Sequence, residues 1–222
     1  MLKTNLFKHA ALMALVLPST LLAGKSNPGA PLVSADDAFA KSAQRVGEWT
    51  AFRAVAVPQS EMFAPKRVKI IEFGLGLPNP PVATRWRAEQ AWLSCDGTVG
   101  LTFGRWTLPG TGERGWYEAL WGKLANGSWR ILLRHAGTTE RNLFSRPGRK
   151  GMRAACTGMP PPLPIVAPAV GTDFKLGASY DQTLIWSSAV SEKGEVRIVI
   201  SLWDGARHVP VLEDVAAAPS PR

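Results

Sequence analysis

Few residues of this 222-residue chain have the types and spacing for proton chemistry. His135 closes the run NGSWRILLRHAG, residues 126–137, and Glu118 sits between Trp116 and Leu120 in the preceding apolar run, WYEALW. Histidine titrates closest to neutrality, but it makes an effective general base only when an acid orients it or a substrate meets it. Glu118 is the carboxylate near enough in sequence to matter. On an apolar face its pKa would rise, and it could itself act as a base. The plainer alternatives are a carboxylate paired with an arginine and a hydrogen-bonded histidine where a strand reaches water.

Other chemistries lack their residues. No Gly-x-Ser-x-Gly elbow, phosphate loop or His-Glu-x-x-His occurs. Two cysteines, Cys95 and Cys156, cannot make a typical zinc site unaided, and His135 and His208 show no ligand spacing. No metal and no cofactor is expected.

The chain begins MLKTNLFKHAALMALVLPSTLLAGKS, with a basic start at Lys3 and Lys8 and an apolar run from Ala10 to Ala23. A bilayer span needs about 20 residues, so the run is short for one. Residues 1–23 read as a secretory signal peptide cleaved after Ala23, with an uncleaved anchor as the alternative. The expected location is periplasmic or secreted. The leader takes His9 with it, and loss of its two lysines lowers the formal charge of +9 by two. A basic mature protein favours anionic surfaces. Export and the lack of a nucleic-acid motif argue against nucleic acid. An oxidising compartment also favours a disulfide between Cys95 and Cys156.

The elements that must position His135 and Glu118 follow from periodicity. Ser34 is a candidate N-cap for one long helix ending before Pro58, with Asp36 and Asp37 favouring its positive end. Phe39, Ala43, Val46 and Trp49 recur every three or four residues and form an apolar stripe, with Phe52 and Val55 close to it; Gly47 weakens the middle. Val68, Ile71 and Leu75 could face inward from a short helix. Residues 83–94, 99–106, 115–124 and 129–135 read as four strands of an antiparallel meander, turned at Asp96-Gly97, Pro109 to Gly112, and Asn126-Gly127. Strict alternation puts Trp129, Ile131, Leu133 and His135 on one face, and Arg130, Leu132 and Arg134 on the other. Residues 141–153, with Arg141, Arg146, Arg149, Lys150 and Arg153, form a basic loop, and a proline-rich stretch runs to residue 172. Residues 182–190, 196–203 and 208–212 read as three further strands, turned at Lys193-Gly194 and Asp204-Gly205. Three strands are marginal alone, so this unit should dock on the main sheet.

The order long helix (DDAFAKSAQRVGEWTAFR), MFAP, RWRAEQAWLSCDGTVGLTFGRW, WRILLRHAG resembles the nuclear transport factor 2-like superfamily, in its exported, SnoaL-like branch. The resemblance covers about residues 34–137. It implies an α+β fold in which a curved antiparallel sheet wraps a long N-terminal helix as a cone, with a pocket at the wide end and the C-terminal β-meander as an extension. The implied organisation is a signal peptide at 1–23, the nuclear transport factor 2-like domain at 24–140, a basic then proline-rich linker at 141–172, the β extension at 173–215 and a tail at 216–222. Relatives read roughly Trp-Lys-Ile-Val-His-x-His at the last strand. Trp129 and Ile131 match, Leu133 replaces the first histidine, and His135 matches the second. The pocket implied is lined by Trp49, Met62, Phe63, Trp116, Glu118 and His135.

Members of this superfamily bind ligands, dimerise, or act as isomerases, dehydratases and hydrolases, so the fold leaves the function open. Three readings follow: binding of a small apolar or anionic ligand without chemistry; an isomerase, cyclase or hydrolase using Glu118 and His135; and a cell-envelope interaction module using the 141–153 loop or the added strands. A homodimer is also consistent with the resemblance. Tyr117 alternates to the face opposite Glu118, against a tyrosine-plus-acid oxyanion site of the ketosteroid isomerase kind.

Overall fold

The computed structural model describes residues 27–138 and 150–216. The leader 1–23 with its cleavage point, the basic residues Arg141, Arg146 and Arg149, and the tail beyond Ala216 lie outside the described residues. No helix among the described residues is long and apolar enough to cross a membrane.

Helix α1 spans Ala30–Val46 and starts ahead of Ser34. Gly29 is its N-cap, and Pro31 occupies the first turn, where its missing N–H leaves no bond unmade. The single long helix expected here is broken at Gly47, which adopts φ +96°. A Cβ at Gly47 would fall 2.3 Å from the Asn79 side chain, and only glycine tolerates both the backbone and the contact. Helix α2, Glu48–Val55, continues beyond the break. The chain turns extended at Ala56, so Pro58 lies inside strand β1, Ala56–Phe63, and does not end the helix. Strand β2, Arg67–Lys69, and a short helix α3, Ile70–Leu75, follow. Ile70 and Gly74 are the buried residues there, whereas Leu75 is exposed.

The expected meander is present as β3, Arg85–Leu93; β4, Val99–Thr107; β5, Arg114–Lys123; and β6, Trp129–Gly137. Two parallel pairings widen it: β1 joins β6, and β7, Lys150–Arg153, joins β3. The first sheet is thus mixed, in the order β2-β1-β6-β5-β4-β3-β7. A second, antiparallel sheet runs β11-β10-β9-β8, from β8, Asp173–Ala178; β9, Leu184–Val190; β10, Val196–Trp203; and β11, His208–Ala216. Strand β8 had no clear sequence signal.

The first sheet is covered on both faces. Tyr117, Ala119 and Trp121 of β5 pack with Phe39 and Phe52 of the helices. Trp116 and Leu120 pack with Ile198, Ile200 and Leu212 of the second sheet. A strand buried on both faces needs an unbroken apolar run, and WYEALW supplies one around Glu118.

Two similar turns join the sheets. In Ser94-Cys95-Asp96-Gly97-Thr98, Asp96 Oδ1 accepts hydrogen bonds from Ser94 Oγ and from Thr98 N and Oγ1. In Ser179-Tyr180-Asp181-Gln182-Thr183, Asp181 Oδ1 accepts from Ser179 Oγ and from Thr183 N and Oγ1. Each aspartate then accepts from the other's backbone: Asp96 N donates to Asp181 Oδ2 at 2.7 Å and Asp181 N to Asp96 Oδ2 at 3.2 Å. Asp96→Ala and Asp181→Ala should each cost about 1 kcal/mol, these carboxylates being partly solvated. The double variant should cost less than the sum, since the two share their bonds. Strict additivity in urea titrations would argue against the coupling.

Candidate functional site

The β5–β6 register decides where His135 points. Leu120 pairs with Leu133, but Trp121 pairs with Ile131, which leaves Leu132 as an extra residue. Such a bulge reverses the side-chain faces beyond it. Trp129 and Ile131 therefore pack on the helix side, and Leu133 packs between the sheets. The shared face expected from strict alternation does not exist. His135 follows Leu133 towards the second sheet, and Arg134 turns towards the helices.

His135 Nδ1 lies 3.3 Å from Glu118 Oε1 and 3.2 Å from Asp214 Oδ2, with both carboxylates fully buried. The rings of Trp116 and Phe63 meet the imidazole edge-on, with centroids 5.0 and 5.3 Å away. Burial works against a charged imidazole, but Asp214 and Glu118 outweigh it and raise the His135 pKa to about 9. At neutral pH His135 holds its proton, so this geometry makes it a poor general base. Asp214, on β11, was missed because nothing in its local pattern marks it. The three residues offer ligand atoms within 4.8 Å of one another, and they are the group among the described residues that could hold a metal ion. A cation there would have to displace the imidazole proton that both carboxylates face. His208 is elsewhere, with Nε2 2.8 Å from the Gln182 carbonyl.

A cavity of about 290 Å³ opens beside the C-terminal half of β6. Trp49, Met62, Phe63 and His135 line it, together with Phe52, Trp86, Trp106 and Arg134. Trp116 and Glu118 are not among its lining residues; both are buried, with Trp116 in the core between the sheets. Trp106 stands where Trp116 was expected, its indole N–H donating to the Gly137 carbonyl at 3.1 Å.

Arg134 is the polar group that sequence reasoning overlooked. Its guanidinium centre lies 4.2 Å from the Tyr117 ring centroid, 5.0 Å from Trp86, 5.5 Å from Phe52 and 5.9 Å from Phe39. Burial pushes its pKa down, and the nearby Asp36, Tyr117 and Glu48 oppose that. Asp36, on α1, is fully buried. It accepts hydrogen bonds from Trp86 Nε1 and from the Tyr117 hydroxyl, both at 3.0 Å. Burial raises the Asp36 pKa, against the pull of Arg134 and of its hydrogen-bond donors. Tyr117 thus has an acid partner on its own face, in Asp36. The two face each other and neither lines the cavity.

No protein-family model and no curated protein matches the chain. Solved structures similar to it include nuclear transport factor 2-like proteins. One, an NTF-2 like protein of unknown function from Shewanella oneidensis MR-1, is 15% identical, with a TM-score of 0.41 over 49% of this chain and 98% of its own. A DUF3225-family protein of unknown function from Pectobacterium atrosepticum SCRI1043 is 15% identical, with a TM-score of 0.41 over 52% of this chain and 94% of its own. A nuclear transport factor 2-like superfamily protein from Salmonella enterica is 12% identical, with a TM-score of 0.39 over 56% of this chain and 99% of its own. They are what this chain is similar to, and they assign no ligand or reaction to it.

Proposed function

We propose that this protein binds a small molecule in the aromatic cavity beside β6 and performs no chemistry on it. The observation that carries this reading is the cavity itself: about 290 Å³, walled by indole and phenyl rings with a few polar groups between them. Such walls supply affinity through buried apolar area, roughly 25 cal/mol per Å², while the polar groups set orientation. The enzyme alternative would need Glu118 to meet a substrate, and Glu118 is fully buried outside the cavity. Both faces of the first sheet are packed, so an envelope module would have to work through the 141–153 loop or the added strands. We place the protein outside the cytoplasm, in the periplasm or secreted, and the Cys95–Cys156 bond supports this because disulfides persist in oxidising compartments.

Native mass spectrometry of protein purified from its own host should find a retained small molecule. Trp106→Ala should weaken its retention about tenfold through lost wall area. Glu118→Gln should leave retention unchanged in any variant that folds. An empty protein from the host, or retention indifferent to Trp106, would count against the cavity as the site.

A further inference from the structure

We infer that the ligand of this cavity carries a carboxylate and that Arg134 receives it; the inference rests on the small-molecule reading above. Arg134 is 7% exposed, yet its guanidinium donates no hydrogen bond among the described residues, and its Nη1 is enclosed without a partner. An arginine carries five N–H donors in a fixed planar fork, and a buried charge left without an acceptor is costly. The two protein carboxylates that influence Arg134 do not fill that role. Asp36 spends its two oxygens on Trp86 and Tyr117, and Glu48 accepts from Thr84 N. Neither comes within ion-pair distance of Arg134.

The rings around Arg134 compensate in part by cation–π attraction and hold the fork in place. Phe52 and Trp86 belong both to this cage and to the cavity wall, so the guanidinium sits at the cavity's aromatic end. A carboxylate matches the fork with two parallel hydrogen bonds, whereas a hydroxyl or amide oxygen offers one acceptor centre. Glu48 on the same wall disfavours a doubly charged phosphate and leaves room for one negative charge. The ligand class is therefore a monocarboxylate with an aromatic or aliphatic body.

Calorimetric titration with matched probes tests this: phenylacetate against 2-phenylethanol, and octanoate against 1-octanol. The wild-type protein should bind each acid about tenfold or more tightly than its alcohol, as expected when a charged hydrogen-bond pair is made or lost. Arg134→Met should erase that gap and keep the alcohol affinity. Trp106→Ala should weaken acid and alcohol alike and keep the gap. Should Arg134→Met fail to fold, side-chain NMR of the wild type decides, because phenylacetate must shift the Arg134 guanidinium resonances. Equal affinity for acid and alcohol, or acid binding without a shift at Arg134, overturns the carboxylate inference and leaves the small-molecule reading standing. If no probe binds and the host-purified protein is empty, both fall.

Discussion

Raising the pH from 6 to 10 is expected to cost the wild-type protein about 3 kcal/mol more folding stability than it costs a His135→Gln variant. The folded His135 holds its proton up to about pH 9, against an ordinary value of 6.5, because Asp214 and Glu118 outweigh the penalty of burial. A raised pKa means that folding takes up a proton. The stabilisation is complete below about 6.5 and drains away as the pH climbs through about 9. Glutamine can still donate to one carboxylate but cannot titrate, so the difference between the two urea series isolates the imidazole. Parallel curves would show that His135 takes up no proton on folding. The clamp joins β5 and β6 to β11, so its loss should loosen the second sheet on the first. Hydrogen exchange in β11 should therefore speed up above pH 9 in the wild type. Asp214→Asn and Glu118→Gln should each bring the His135 titration, followed by NMR, back towards 6.5.

Reduction of the Cys95–Cys156 bond should be the other large loss. The cysteines are 61 residues apart, and loop-closure entropy puts the cost of freeing such a loop at about 4 kcal/mol. Their Cα atoms are 5.2 Å apart, and free-thiol titration of the oxidised, denatured protein should find no thiol. The bond sits where the sheets are stitched together. Ala154 N donates to the Leu93 carbonyl and Ala155 N to the Trp203 carbonyl, both at 2.8 Å, and Trp203 Nε1 reaches the Thr157 carbonyl. Cys95 itself lies in the turn that pairs with residues 179–183, its N–H donating to Thr183 Oγ1. A Cys95→Ser/Cys156→Ser variant should therefore unfold at markedly lower urea than the oxidised protein, and reductant should move the wild type to the same midpoint. An unchanged midpoint would mean that the bond constrains little.

Local pattern by itself determined most of the apolar stripe, with Phe39, Ala43 and Trp49 packed as read and Val46 exposed, together with the four-strand meander, its Asp-Gly and Asn-Gly turns, and the later strands. These are periods of two or about 3.6 residues punctuated by glycine, and a short window contains all of that information. The neighbourhood of His135 and Glu118 was legible only coarsely: the turn's register continued along the strands would set Glu118 opposite Arg134, and the extra residue at Leu132 sets it opposite His135. Tertiary structure alone decided the rest. The extra residue at Leu132 turns His135 towards Asp214 and Arg134 towards the aromatic rings, yet one inserted residue leaves an apolar run looking like any other. The parallel strands β1 and β7 pair with partners far along the chain, and no hairpin turn announces them. Gly47 could have been a tolerated weak point in one helix; the Asn79 side chain against it is what goes with the break. Asp36 read as a favourable charge at a helix start, and became a buried acceptor for Tyr117 and Trp86 only when the sheet closed over it. Periodicity tells a strand which residues alternate; packing against distant elements chooses which face is a core and which is a cavity.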